Sequence, residues 1–459
     1  MGEEYEVIVI GGGHAGCEAS LASARSGAKT LLISISMDSI AVMPCSSLVG
    51  GLGRGHIVRE IHVLGGEMAK NIDRNFIGLW AVVDGVNPAF RALRGVVDKR
   101  GYFLSMKNVL ENQEMLDLKQ GLVVDIKRAK RRYVVSNSDG TSYGCKSLVL
   151  APGTFLRGII FWGKNKIEAG RYGEICSKRL SLSLEKMGFR FGRLWVDTAP
   201  RIDRKTIDLD RVEIVRYDEN PNMFSFGDKY DGRNQIETYF TYMDRNCVNC
   251  ISKYLSEAPI YGWLRNQGEG RHLSSIESRV LNFNDRKRYK IYMLPEGKNT
   301  NEVYLQGLAT TFSEELQSEI IRRIKGLENA VITRPGYGVE YDYLLPFQID
   351  NTLESREHKG IFFAGQINGS VGYEEAAAQG VVAGINAARR AKNLEAIFIK
   401  REEGYIGVLI DDIVAKGVYK RPYRIAVSKN EYRLLHRFDN ADIRMLETLK
   451  LLQNVSRET

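Results

Sequence analysis

The chain opens with an unbroken apolar run, YEVIVI at residues 5–10, which predicts a strand buried on both faces in a parallel sheet. The glycine-rich GGGHAG at 11–16 follows, then the helical pattern CEASLASARSG closing at Gly27, then a second apolar run, KTLLISI at 29–35. Strand, glycine turn, helix and strand in that order make a β-turn-α-β unit. In PCSSLVGGLGRGHIVRE, residues 44–60, glycines are too dense for a helix at first. The pattern predicts a loop that wraps round a ligand, with a helix from about His56.

Three apolar segments across 121–150 (GLVVDI, YVVS and KSLVLAPG) predict a small β-meander. Between the first two lies KRAKRR at 127–132, a solvated turn or alternatively an RNA-contacting tip. Residues 197–279 are polar and aromatic with weak periodicity, which predicts an inserted domain. Strand signals resume near 280, and a helix is predicted over 313–327. GIFFAGQ at 360–366 reads as a strand entering a glycine turn, before the small-residue helix EEAAAQGVVAGINAARRA. Beyond about 400 the pattern is helical and basic.

A length of 459 residues fits about three modules of ~150 residues. With 44% hydrophobic and 26% charged residues, a mostly disordered chain is excluded. No apolar run reaches the ~18 residues of a membrane span. The acidic start lacks the basic n-region of a signal peptide, so a cytoplasmic or organelle-matrix location is expected. Lys and Arg exceed Asp and Glu by 65 to 56, net +9, which suits a polyanionic partner such as RNA or a basic proteome background. Six cysteines in this length argue against a disulfide framework. Cys247 and Cys250 form a single CxxC without a second pair, so no metal site is expected.

The spacing Gly11-x-Gly13-x-x-Gly16 between strand and helix fits a dinucleotide. Gly11 permits the tight turn, Gly13 lets backbone approach a pyrophosphate, and Gly16 lets helix and strand pack closely. The helix N-terminus offers free N–H groups to the phosphates. The acid expected after the second strand is missing; Ser34 and Ser36 stand there. LVLAPGT at 148–154 and FFAGQINGSVGYEEAAAQG at 362–380 resemble the second turn and the flavin-contacting segment of two-dinucleotide flavoproteins, which favours FAD over NAD as the resident cofactor. The expected fold class is α/β: an FAD-binding Rossmann-like (two-dinucleotide-type) domain at 1–196 and 280–398, an inserted α+β domain at 197–279, and a short C-terminal helical region at 399–459.

GGGHAG, GGLGRGHIVRE, RPGYGVEYDY, FFAGQINGSVGYEEAAAQGVVAGINAA, GYIGVLIDD and EYRLLHRFDNADIR closely resemble the MnmG (GidA) family over residues 5 to about 445. The resemblance implies a flavin-dependent enzyme, using FAD and NADH, that works with an MnmE-type GTPase and methylene-tetrahydrofolate. It would install a carboxymethylaminomethyl-type group at carbon 5 of the wobble uridine of tRNA, as a homodimer. Carried over by motif, Gly11, Gly12, Gly13, His14, Ala15 and Gly16 hold the FAD pyrophosphate. Val123, Gly153, Ser177, Gly365, Gln366, Gly372, Tyr373 and Glu374 fall on further cofactor-contacting positions. Arg271 lies in the stretch 269–283 that matches NADH binding. Cys45 matches the cysteine of the family's SCNPxxGG loop and is the candidate catalytic residue. Its thiolate would add to carbon 6 of uracil and make carbon 5 nucleophilic, or Cys45 is a small residue beside the cofactor ring.

Departures from the family pattern cluster in functional loops. Leu273 stands where the family has a second cysteine, with His272 beside it and Cys247 or Cys250 as spatial substitutes. Val86 and Val96 replace a lysine and a glutamine, and the family's GTPPRID is Asp197-Thr198-Ala199-Pro200-Arg201-Ile202-Asp203. The chain ends where the family's C-terminal helical domain, associated with MnmE docking and tRNA, has only begun. Arg433, Arg437 and Arg444 remain as phosphate contacts or as salt-bridged helix charges. The alternatives to the tRNA-modifying reading are a flavin- and folate-dependent RNA uracil methyltransferase resembling TrmFO, and a diverged FAD-binding paralog with little catalysis.

Overall fold

In the computed structural model the described residues are 3–83, 87–233, 235–267, 275–283, 286, 288–418, 421–448 and 450; for 265–267 only the backbone is described. The first strand, Glu4–Ile10, is buried from Val7 onward and pairs in parallel with Thr30–Ser34 on one side and Ser142–Leu150 on the other. Leu116–Gln120 extends the parallel set beyond Thr30–Ser34. The nine-residue strand Ser142–Leu150 is shared lengthwise. Its first part pairs antiparallel with Arg132–Asn137, and its last three residues pair in parallel with Ile361–Phe363. The predicted meander and the predicted late strand therefore belong to one seven-stranded sheet. The KRAKRR run forms the ends of the Val123–Ala129 and Arg132–Asn137 hairpin and is exposed.

Two helices that pack on each other lie against this sheet. His14–Arg25 is buried along nearly its whole length, and Tyr373–Ala391 runs 19 residues with Ala and Gly on its inner face. Small residues let the two helices meet backbone to backbone: a Cβ built at Gly384 would lie 2.2 Å from the carbonyl oxygen of Ala19. This contact and the apolar strands form the large core.

The second region is larger than the sequence pattern suggests. Phe191–Thr198 and Tyr337–Leu344 pair antiparallel over their full lengths, ending with Thr198 opposite Tyr337. The chain between them forms a six-stranded sheet in the order Glu213–Ile214, Tyr239–Met243, Tyr289–Pro295, Glu302–Gln306, Arg201–Asp203, Ile332–Arg334. The boundary expected at 280 thus falls inside this sheet, which draws three of its strands from beyond it and has its own core. The helix expected over 313–327 ends earlier, spanning Glu314–Ile321. After it the bonds tighten to Arg323 N–H on Ile320 and Ile324 N–H on Ile321, and Gly326 adopts a φ of +82°.

Two core carboxylates, Glu60 and Glu375, hold the C-terminal segment; Glu375 accepts from Ile425 N–H at 3.2 Å. Glu60, on the helix Arg54–Val63, accepts from the backbone N–H of Tyr405 at 3.0 Å and of Ile406 at 2.9 Å. It also binds Arg444 at 2.9 Å. Arg444, its side chain 11% exposed, is therefore spent on a structural ion pair, and Arg437 pairs with Asp439 at 3.0 Å. No helix among the described residues is long and apolar enough to cross a membrane.

Candidate functional site

The first strand ends at Ile10, and the turn that follows opens a cleft of about 340 Å³ between the two regions. Gly11 takes a φ of +108° because the turn runs against the Ala151 backbone; a Cβ there would sit 2.3 Å from that carbonyl oxygen. Gly16 is not in the cleft wall. Its missing side chain lets the helix close on Gly11, whose carbonyl oxygen would be 1.7 Å from a Cβ. Gly13 differs from both: a Cβ there would meet nothing within 4 Å, so the N-terminus of the first helix faces open space.

His14, the first residue of that helix, is 6% exposed and has no partner for either ring nitrogen. Its ring lies 4.7 Å from that of Tyr373. Burial pulls its pKa down to about 3, so it lines the cleft as a neutral ring able to donate one hydrogen bond and accept another. An open helix N-terminus beside an unpartnered buried imidazole fits the pyrophosphate of a dinucleotide. Ser34 also lines the cleft and donates to the Ser36 carbonyl at 3.0 Å. Ser36 instead caps a short helical turn by accepting from Asp38 N–H and does not line the cleft, so Ser34 alone of the two faces it.

Gly12, Ala15, Val123, Gly153, Ser177, Gly365, Gln366, Gly372, Tyr373 and Glu374 line the same cleft, although they span more than 360 positions of sequence. The segment from Gly365 meets the opening turn because Gly365 turns with a φ of +85° against Ala15. Glu374 anchors the glycine-rich loop by accepting from Gly50 N–H at 2.7 Å. Arg54, at the start of its helix, reaches back to Glu375 at 3.0 Å. The segment 44–53, which includes the short strand Leu48–Gly50, is thereby held against the N-terminus of the long helix, and the helix expected from about His56 begins at Arg54.

Cys45 is half-buried in the far wall. Its backbone N–H donates to Tyr373 Oη at 3.0 Å, and its thiol lies 3.7 Å from the carbonyl oxygen of Asp197. Burial pushes the thiol pKa up, while Arg201 and Lys99 pull against that shift. Asp197, Thr198, Tyr304 and Tyr337 complete this wall from the second region.

Lys99, whose ammonium donates to the Cys45 carbonyl oxygen, and Glu296, 2.5 Å from that ammonium, were passed over by sequence reasoning altogether. Each is one charged residue, Lys99 at the start of a helix and Glu296 just past a strand, with no motif of its own to mark it.

Of the stretch 269–283, residues 269–274, Arg271, His272 and Leu273 among them, lie outside the described residues. Within 275–283 the helix Ile276–Asn282 is held by Glu277, which accepts from Thr310 Oγ1 at 2.7 Å and from Thr311 N–H at 2.8 Å. Ile276 N–H donates to Ala309, itself a cleft residue. Val86 is also outside the described residues. Cys247 and Cys250 do not reach the cleft; they face the helix Glu314–Ile321 and its C-terminal turn, Cys247 donating to Arg323 O at 3.3 Å and Cys250 lying 3.7 Å from Glu319. They are no spatial substitute for a second cysteine. Among the described residues no cluster of His, Cys, Asp and Glu has the form of a metal site.

Comparison with known proteins agrees with this architecture. The family model described as glucose inhibited division protein A (GIDA) matches residues 6–395. The tRNA uridine 5-carboxymethylaminomethyl modification enzyme MnmG of Ligilactobacillus salivarius is 45% identical over 451 residues, covering 97% of this chain and 70% of that protein. The enzyme of the same name from Geobacillus kaustophilus is 46% identical over 449 residues, covering 97% and 71%. The form I crystal structure of Aquifex aeolicus GidA superposes with a TM-score of 0.93 at 42% identity, covering 98% of this chain and 76% of that one. On this coverage the chain belongs to the glucose inhibited division protein A (GidA) family.

Proposed function

We propose that this chain is a flavin-dependent enzyme that installs a carboxymethylaminomethyl-type group at carbon 5 of the wobble uridine of tRNA. The observation that carries the reading is the convergence of the Gly11–Gly16 turn, the Gly365–Glu374 segment and Cys45 on one cleft, in a chain similar to MnmG enzymes over 97% of its length. The names of those relatives favour this activity over uracil methylation.

Among the residues that line the cleft, Gly13 and His14 would hold the pyrophosphate of FAD, Ser34 a ribose, and Val123, Gly153, Ser177, Gln366 and Tyr373 its ring system. When bound it supplies two-electron redox chemistry, with NADH as reductant through the Arg271 stretch and methylene-tetrahydrofolate as carbon donor. The chain's own groups orient and activate. The cleft wall presents the Cys45 thiol, and its thiolate adds to carbon 6 of the uracil. The new S–C bond moves the carbon 5–carbon 6 π pair onto carbon 5, which then attacks an electrophilic carbon. Loss of the carbon 5 proton expels the thiolate and restores the double bond. Tyr373 fixes the Cys45 backbone during both steps. An MnmE-type GTPase as partner, a homodimer and a cytoplasmic location complete the proposal.

Nucleoside mass spectrometry of tRNA from a strain lacking this gene, with and without a plasmid copy, tests it. Loss of the carboxymethylaminomethyl-type uridine and its return with the plasmid are expected. Unchanged uridines, or loss of ribosylthymine in their place, would overturn the proposal.

A further inference from the structure

The backbone of Cys45 is gripped by two cations that arrive from different regions. Lys99 begins the helix Lys99–Glu111, after the cap Asp98, and its ammonium donates to the carbonyl oxygen of Cys45. Arg201 begins the strand Arg201–Asp203 of the inserted sheet, and its guanidinium donates to the carbonyl oxygen of Pro44. Neighbouring carbonyls are thus held by one residue from each side of the cleft. Glu296 joins the cations, 2.5 Å from Lys99 Nζ and 3.6 Å from Arg201 Nε. The Tyr304 ring lies 5.1 Å from the ammonium and 5.0 Å from the guanidinium carbon. Lys99 and Arg201 are only 8% and 5% exposed.

This arrangement is costly to bury, and nothing in the sheet or the helix requires it: a strand and a helix start do not need charged residues. Its polar reach is spent on the carbonyls of Pro44 and Cys45 and on the Thr198–Ala199 turn, which Arg201 Nη1 contacts at 3.2 and 3.3 Å. Two cations and one carboxylate leave one net positive charge beside the thiol. Other groups face Cys45 as well. Arg424 adds a cation and Asp197 an acid. Tyr304, Tyr337 and Tyr373 are held neutral by burial.

We propose that Lys99 and Arg201, bridged by Glu296, are positioning residues that aim Cys45 into the cleft and favour its thiolate. The proposal rests on the reading of Cys45 as the reactive thiol, and its test does not depend on tRNA modification. The same burial that raises the thiol also pulls the Lys99 ammonium down to about 8, kept from falling further by Glu296. Lys99 is therefore charged at neutral pH and begins to lose its proton just above it, which weakens its hold on the thiolate from there upward.

The test is the pH dependence of Cys45 alkylation by iodoacetamide, read peptide by peptide by mass spectrometry on the full chain. Partly exposed Cys250 serves as the internal control. Arg201→Met removes the cation that stays charged throughout the thiol's titration, and the Cys45 midpoint is expected to rise by about one unit. Glu296→Gln keeps the shape and removes the negative charge, so its midpoint moves down. Opposite shifts at Cys45 with Cys250 unmoved support the proposal, because mere loosening of the loop would move both variants the same way. Shifts of the same sign, or none, would overturn it. If Arg201→Met does not fold, Glu296→Gln decides alone: a downward shift supports the proposal and any other result overturns it. A Cys45→Ser variant that still modifies tRNA would instead remove the functional reading and leave the thiol titration standing.

Discussion

The carbonyl oxygen of Ala15 occupies the place that a side chain on Gly380 would take: a Cβ there would lie only 2.2 Å from it. The first and last helices of the dinucleotide region therefore cross in direct backbone contact, and the ends that face the cleft are fixed relative to each other. Alanine is intrinsically the better helix former by ~1 kcal/mol. At this crossing the sign is expected to reverse. Gly380→Ala should lose about 1–3 kcal/mol in urea unfolding, the usual range for overpacking, and should retain less flavin. A gain in stability would show that the two helices do not meet there.

Arg54 is partly exposed, whereas its partner Glu375 is fully buried. Burial raises the Glu375 pKa and Arg54 opposes that rise. Removing the cation strands a carboxylate, so Arg54→Met should cost about 3–5 kcal/mol by chemical denaturation. Adding Glu375→Gln to that variant should recover a large part of the loss. Equal stability of the wild type and Arg54→Met would place the ion pair outside the fold's framework.

His56 is buried with both ring nitrogens unpartnered, its ring 4.8 Å from that of Tyr405. Desolvation holds its pKa near 3 in the fold, against 6.5 for the free group. The unfolded chain therefore binds the proton first. Its stability contribution is whole above pH 6.5 and falls as pH drops toward 3, by about 1.4 kcal/mol per unit. Glu18 runs the other way, its pKa raised from 4.5 to about 7, so the informative quantity is the difference from His56→Phe. Denaturant titrations at pH 7 and pH 5 should show the wild type losing more stability than the variant. Parallel losses would contradict a neutral His56.

Cys45→Ser keeps the size of the side chain and the Tyr373 hydrogen bond, which uses backbone N–H. Flavin content and melting temperature should stay near wild type, while uridine modification in the complemented strain should fall to background. Retained modification would move the chemistry to another group.

What the sequence made legible follows from how local each signal is. The opening turn, the Ser142–Leu150 strand and the long helix are written in contiguous glycine and apolar spacing, and they fold as that spacing predicts. The inserted sheet is not legible in the same way. Arg201–Asp203 pairs with Glu302–Gln306 and with Ile332–Arg334, partners about a hundred or more positions away, so no window of periodicity contains them. Ser36 looked equivalent to Ser34 by position, and only the turn geometry spends it as a cap. Cys45 was legible through a loop motif. Its grip by Lys99, Arg201 and Glu296 was not, because each comes from a different element and becomes a cluster only when two regions close on one another.

The most direct measurement of the central claim is the flavin released on denaturing the purified chain, identified by chromatography and counted per chain, for the wild type and for Gly13→Leu. Gly13 has an ordinary φ of −77° and open space at its Cβ, so the substitution fills the cradle without straining the fold. The wild type is expected to release FAD close to one per chain. Gly13→Leu is expected to fold, with an unchanged melting profile in the absence of ligand, and to release almost none. A wild-type chain that stays colourless after reconstitution with FAD, or a Gly13→Leu chain that binds it equally well, would contradict the account.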